Sequence, residues 1–301
     1  MTKNLISILL ILLTFTSLKA QKEAYTIFSD SGSKSNYKKI LKKAEKVDII
    51  LFGELHNNPI NHWLQFELTK DIFEKINEDL ILGAEMYESD NQLIINEYLG
   101  GHYDEKIFTK EAKVWPNNKT DYLPLLNFAR SYQLPFIATN TPRRYANMVY
   151  KKGFNALNSL TDLSKNYLAP LPIVYDEKLP GYANMKKMAG GHGGDNLPKA
   201  QALKDATMAH FILKNHRKGS TFIHYNGAYH SNNFEGIMWY LKKNNPDLKI
   251  LTINCVEQKD LKKLESENKN TANFIIATPE SMTSIEGMFS ILLNQPTTHS
   301  G

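Results

Sequence analysis

Short, unbroken apolar runs alternate along this chain with longer stretches whose apolar residues recur at three- and four-residue spacing. The runs at 47–52, 80–85, 135–139, 221–225, 249–256 and 273–277 predict strands. The stretches at 60–77, 91–99, 122–132 and 234–244 predict helices. Strands that are apolar throughout, rather than alternating, are buried on both faces. With helices between them, they predict an α/β fold whose mostly parallel sheet is flanked by helices.

The rhythm breaks between residues 146 and 216, where no strand-like run occurs. Helical spacing returns at 154–167 and 199–215, separated by an irregular, Gly-rich segment at 179–195. The expected organisation is an α/β domain made of 21–145 and 217–301, with a small all-helical subdomain inserted at 146–216. An insertion at the carboxyl end of a sheet is well placed to cover a site.

The first twenty residues read differently. Lys3 gives a positive start, Leu5 to Leu13 an apolar core, and Leu18-Lys19-Ala20 a small-residue exit. That is the pattern of a secretory signal peptide. The expected location is therefore exported, either periplasmic or membrane-associated. Gln21 follows the exit where a lipoprotein would carry cysteine. The single cysteine, Cys255, lies in an apolar strand run, so an exported chain of this kind rests on its core rather than on disulfides. Net charge is +5 over 301 residues. The basic residues are spread along helical stretches and form no stripe interleaved with aromatics, which argues against nucleic acid as a partner.

Candidate chemistry gathers at strand ends. The tetrapeptide Gly-x-x-His occurs after two strand runs, as Gly53-Glu54-Leu55-His56 and as Gly227-Ala228-Tyr229-His230. Ligands of open parallel sheets bind outside the carboxyl ends of the strands, so the two histidines are placed to share one crevice. Glu85 ends another strand, and a carboxylate there needs a partner. Arg143 and Arg144, in the first turn of a helix after Pro142, oppose the helix dipole and are the expected partners of Glu85. His56, His230 and Glu54 or Glu85 form a set that can bind a divalent metal and activate water. Without metal, the same groups can act as acid and base. The plainer reading is strand-to-helix punctuation at Gly53–Pro59 and a structural ion pair at Glu85.

The irregular segment carries another signature. Tyr182, Met185 and Met188 recur every three residues, and His192 sits between two Gly-Gly pairs. Phenolate, thioether and imidazole are all haem-iron ligands, and Lys186 is placed to pair with propionates. The alternative is a Met/Tyr helix face packed on the core beside a glycine loop.

Phe52-Gly53-Glu54-Leu55-His56, Leu82-Gly83-Ala84-Glu85-Met86, Asn140-Thr141-Pro142-Arg143, the stretch from Ala200 to Ala209 and Gly227-Ala228-Tyr229-His230 together resemble the ChaN-type haem-binding uptake proteins of the Tiki/TraB superfamily. The resemblance runs from about residue 45 to 280. It implies haem bound at a homodimer interface through a tyrosine on iron, with His and Lys near the propionates, beside an outer-membrane haem receptor. Tyr182 is the first choice for that tyrosine and Tyr175 the second. Other members of the superfamily are hydrolases that use the paired histidines and the strand-end glutamate. Two functions are therefore carried forward. The first is an exported haem-binding protein of iron uptake. The second is a metal-dependent peptidase or esterase that uses His56, Glu54, Glu85, Arg143 and His230, with metal on His56, Glu85 and His230.

Overall fold

The computed structural model describes residues 22–76, 79–188 and 194–282. The signal-like residues 1–20 and the candidate His192 lie outside them. A seven-stranded sheet is built from β1 (Thr26–Ser29), β2 (Ile49–Glu54), β3 (Leu80–Glu88), β4 (Phe136–Asn140), β5 (Thr221–Gly227), β6 (Ile250–Gln258) and β7 (Phe274–Pro279). Its order is β1-β7-β6-β2-β5-β3-β4. Every pairing is parallel except that of β1 with β7.

The helices that flank it are α1 (Tyr37–Ala44), α2 (Pro59–Ile76), α3 (Gln92–Leu99), α4 (Glu105–Glu111), α5 (Asn118–Asp121), α6 (Leu123–Ser131), α7 (Arg143–Lys152), α8 (Asp162–Lys165), α9 (Pro180–Met188), α10 (Asn196–Asn215) and α11 (Ile237–Asn244). Successive strand residues point to opposite faces, and the two cores follow that alternation. Ile50, Phe52, Leu82, Ala84 and Tyr225 pack with Leu64 and Leu68 of α2, Ile95 of α3 and Leu126 of α6. Ile49, Leu51, Ile81 and Phe222 pack with Val149 of α7, Leu203 and Ile212 of α10 and Leu241 of α11. Each buried Ile, Leu, Val or Phe among them contributes roughly 1.5–3 kcal/mol to folding.

Between β4 and β5 the described residues form helices and no strand. Helix α10 lies directly on the sheet and supplies much of the second core. The continuous helix expected at 154–167 is instead a 3₁₀ turn, Phe154–Ser159, followed by the short α8. Leu160 is extended, and the Thr161 hydroxyl accepts from the Ser164 amide at 3.3 Å, which starts a new helix. Likewise α11 starts at Ile237 rather than at 234. Asn233, Phe234 and Gly236 all adopt positive φ, so the chain turns before it coils. Strand β1 and helices α1, α4 and α5 were not anticipated from the pattern.

Candidate functional site

Register places the chemistry. Glu54, the last residue of β2, pairs with Gly227, the last of β5. On the other side of β5, Ala84 of β3 pairs with Tyr225, which carries Glu85 one step further toward the same end. Strand alternation then separates the two carboxylates. Glu54 continues the Ile50–Phe52 face toward α2, and Glu85 continues the Ile81 face toward α10.

Glu54 is fully buried and fully partnered. Oε1 accepts from the Tyr122 hydroxyl at 2.8 Å and lies 2.8 Å from His56 Nδ1, while Gln65 Nε2 donates to Oε2 at 2.5 Å. Burial works to raise this carboxyl, but the His62 and His56 charges and the hydrogen bonds outweigh it and hold it below the usual range. His56 is affected in turn: burial opposes its protonation, and the Glu54 hydrogen bond and charge raise it. The Glu54 contact uses Nδ1 and leaves Nε2 without a protein partner among the described residues. That nitrogen lies against Gly227, where an added Cβ would sit 2.7 Å from it. The punctuation expected after β2 is also present. Asn58 Oδ1 accepts from the Ile60 and Asn61 amides, and Pro59 opens α2.

The second cluster is closed. Glu85 Oε2 accepts from the Gly227 amide at 2.7 Å, and Oε1 lies 3.0 Å from His230 Nε2. His230 Nδ1 lies 2.5 Å from Asp205 Oδ1, and Asp205 Oδ2 accepts from the Tyr182 hydroxyl at 2.7 Å. Burial would lower His230, but carboxylates on both ring nitrogens push it up to about 9. Burial would raise Glu85, but the His230 charge and hydrogen bond hold it well below the carboxylate range. His230 is thus a buried imidazolium held between two carboxylates.

The expected ion pair between Glu85 and an arginine is not formed, because His230 and the Gly227 amide take Glu85. Arg143 Nε lies 4.0 Å from Glu88, at the end of β3, and Arg144 Nη1 lies 2.5 Å from Asp90. The proposed metal set does not converge either. Among the described residues, no group of three or more His, Cys, Asp or Glu side chains is arranged to hold a metal ion. His56 pairs with Glu54, and His230 with Glu85 and Asp205, so the groups form two separate clusters along one cavity wall.

A cavity of about 1020 Å³ opens above these strand ends. Leu55, Val114, Trp115, Pro116, Met185 and Ala228 give it apolar walls; the Trp115 ring meets the His56 ring edge-on at 4.9 Å. Lys113, Arg143, Arg144 and Lys204 bring positive charge, with Glu88 and Asp90 between the first three. His56, Glu85, His230 and the half-exposed Tyr229 also line it.

The profile of the family described as haem-binding uptake, Tiki superfamily, ChaN matches residues 40–241. The chain belongs to this ChaN family. A structure showing cofacial haem binding to ChaN of Campylobacter jejuni shares the fold, with a TM-score of 0.64 and 16% identity over 84% of this chain and 96% of that one. A Bacillus cereus protein (TM-score 0.45, 9% identity, 80% and 90% covered) and an erythromycin esterase in its open conformation (TM-score 0.42, 10% identity, 85% and 83% covered) are more distant. No curated protein matches the sequence.

The site of this ChaN-family chain differs from the sequence-based one in its aromatic residues. Tyr182 does not face the cavity as a free phenol. It is buried, donates to Asp205, and is pushed far above its ordinary value by burial and by the Asp205 charge, which disfavours the phenolate an iron ligand needs. Tyr175 is absent from the cavity wall; its ring packs on Phe154 and Tyr182. Met185 lines the cavity, Met188 is 81% exposed, and Lys186 pairs with Asp195 at 2.9 Å. Sequence reasoning missed Asp205, Tyr122, Gln65, Trp115 and Lys204. Asp205 alone left a signal, as a lone carboxylate among Ala202, Leu203, Ala206 and Ala209.

Proposed function

We propose that this chain binds haem in the cavity at the carboxyl ends of β2, β5 and β3, as an uptake-type carrier. The cavity carries the reading. Its volume of about 1020 Å³ stands at the upper end of small-molecule sites. It sets apolar walls, suited to a macrocycle, beside a cluster of cations suited to carboxylates. Haem iron would be held by an oxygen or nitrogen side-chain ligand. Two side chains on the wall answer that need. One is the Tyr229 hydroxyl; the other is His56 Nε2, whose ring is oriented by the buried Glu54. Tyr229 replaces Tyr182 as the tyrosine of choice.

The Campylobacter relative holds its haem cofacially. By extension we place a second copy of this chain across the cavity mouth, where Tyr229 is exposed. The signal-like residues 1–20 support export to the periplasm or a membrane surface, and an outer-membrane haem receptor is the partner such a carrier would serve. Titrating hemin into the purified protein tests the core of the reading. A shifted Soret band is expected for wild type and for Tyr182→Phe, with an altered band in Tyr229→Phe or His56→Ala. An unshifted wild-type spectrum sinks it.

One observation favours a second reading. His56 has one ring nitrogen on a buried carboxylate and the other bare at a cavity, the arrangement of a general base. A hydrolase acting on esters or peptides would use it as the base at the cavity wall. Turnover of an ester and peptide panel, lost in His56→Ala, would establish this activity; wild type inert toward the whole panel excludes it.

A further inference from the structure

We infer that the basal pole of the molecule, opposite the cavity, docks on an anionic phospholipid surface. The inference is independent of the haem reading. It uses the export reading only to choose lipid over nucleic acid.

The basic residues are dispersed in the sequence, but the topology gathers them. Helices α1, α10 and α11 feed directly into β2, β5 and β6, so their carboxyl ends lie at the amino ends of those strands. Strand β2 stands between β5 and β6. Hydrogen bonds join the three connections. The Phe222 amide donates to the Asp48 carbonyl at 2.9 Å, and the Lys249 amide donates to Asp48 Oδ2 at 2.7 Å. Neighbouring strands stand about 4.8 Å apart, so the connections fall within about 10 Å of one another. That is roughly one Debye length at ~0.1 M salt, so their charges act together.

Segments 42–48, 214–220 and 242–249 carry nine basic residues against three acidic ones, a net of +6. The whole chain carries +5, so this pole holds all of the excess. Helix dipoles account for Lys42, Lys43, Lys214 and Lys243, which stand in last turns. They do not account for Lys46, Arg217, Lys218 and Lys249, which lie in the connections and are exposed. None of these eight cations has a carboxylate within salt-bridge distance among the described residues. Two of the three acids are engaged elsewhere. Glu45 pairs with Lys75 at 2.9 Å, and Asp48 accepts the Lys249 amide. Asp247 alone remains to offset the cations.

The occupant follows from the chemistry of this face. Its cations stand on three separate connections, and the three segments hold no aromatic side chain to stack on a base. Such an array suits a broad layer of phosphates rather than one shaped ligand. Each Lys or Arg near an anionic bilayer strengthens binding about five-fold. The cavity opens at the carboxyl ends of the same strands. A chain docked by its amino-end pole therefore turns the cavity mouth away from the bilayer, where it stays open to a partner.

The test is flotation of the full chain with vesicles over a salt series. One set is phosphatidylcholine alone; the other mixes phosphatidylcholine with phosphatidylglycerol. Wild type is expected to bind the anionic vesicles, to release them as salt rises, and to bind the neutral ones at least about ten-fold more weakly. The triple variant Lys46→Glu/Arg217→Glu/Lys218→Glu should lose about 100-fold or more of the anionic binding. A control with the same charge change on α4 and α5, Lys106→Glu/Lys110→Glu/Lys119→Glu, should lose far less. Equal wild-type binding to both vesicle sets, or a control as weak as the basal variant, overturns the inference. So does a DNA duplex bound as tightly as the anionic vesicles at the same salt, which would assign the face to nucleic acid. Circular dichroism checks that the basal variant folds; if it does not, Lys46→Gln/Arg217→Gln/Lys218→Gln takes its place with the same expected loss. No arm of the experiment involves haem, so the haem reading stands or falls separately.

Discussion

The same tetrapeptide closes β2 and β5, yet its two histidines do opposite work. His56 has its Nδ1 on Glu54 and its Nε2 bare, and its side chain is 19% exposed at the cavity. His230 has a carboxylate on each nitrogen and its side chain is 6% exposed. The first is oriented and available; the second is spent on holding the fold together. The difference arises outside the motif. Strand alternation turns Glu54 toward α2, where Tyr122 and Gln65 complete its shell. Glu85 is turned toward α10, where Asp205 waits for the second imidazole nitrogen. A shared motif therefore predicts a shared place on the sheet but not a shared role.

The sharpest way to break this contrast is to remove each imidazole. His230→Ala leaves Glu85 and Asp205 buried without their cation, and should cost about 3–5 kcal/mol in urea denaturation. His56→Ala leaves Glu54 with its Tyr122 and Gln65 bonds, and should cost no more than about 1–2 kcal/mol. Equal losses would mean that the two histidines are alike after all. The next effect is pH-dependent. His230 titrates at about 9 in the fold against an ordinary 6.5. The stability it adds is complete below pH 6.5 and is lost as pH rises through about 9, a fall of ~3 kcal/mol. Thermal midpoints measured across that window should drop in wild type and stay flatter in His230→Gln.

Gly227→Ala acts on the open side. Its Cβ would meet His56 Nε2 at 2.7 Å, so the imidazole must swing away. Hemin affinity should fall about ten-fold, with ~1–3 kcal/mol lost in denaturation. Hemin binding unchanged by this substitution would remove His56 from the site. The smallest effect belongs to Tyr182→Phe. It deletes one hydrogen bond to Asp205, worth about 1 kcal/mol, and should leave the Soret band of bound hemin where it is in wild type. A lost band would restore Tyr182 as the iron ligand.

The sheet was readable because its strands are buried on both faces, and so read as unbroken apolar runs. β1 was not, since Thr26–Ser29 is a four-residue edge strand whose order comes from pairing with β7. The convergence of His56, Glu54, Glu85 and His230 on one sheet end was also readable, from strand-end position alone. Their partners were not. Arg143 and Arg144 were paired with Glu85 by charge logic, but β3 runs on to Glu88, which supplies a more exposed carboxylate. Tyr182 has the right chemistry for iron, and its spacing with Met185 is real. What sequence cannot show is that the helix turns this phenol inward onto Asp205 while Met185 faces the cavity.

The strand order also governs how the molecule must be assembled. β5 sits between β2 and β3, so in the first half of the chain β2 stands a strand-wide gap away from the β3–β4 pair. Until residues 221–227 arrive, β2 and β3 each show an unpaired edge, the kind of surface that recruits foreign strands. Gly227 and His230 are delivered by that same late strand and its exit. Closing the gap and completing the pocket are thus one event, and a nascent chain that stops short of β5 has neither a continuous sheet nor a site.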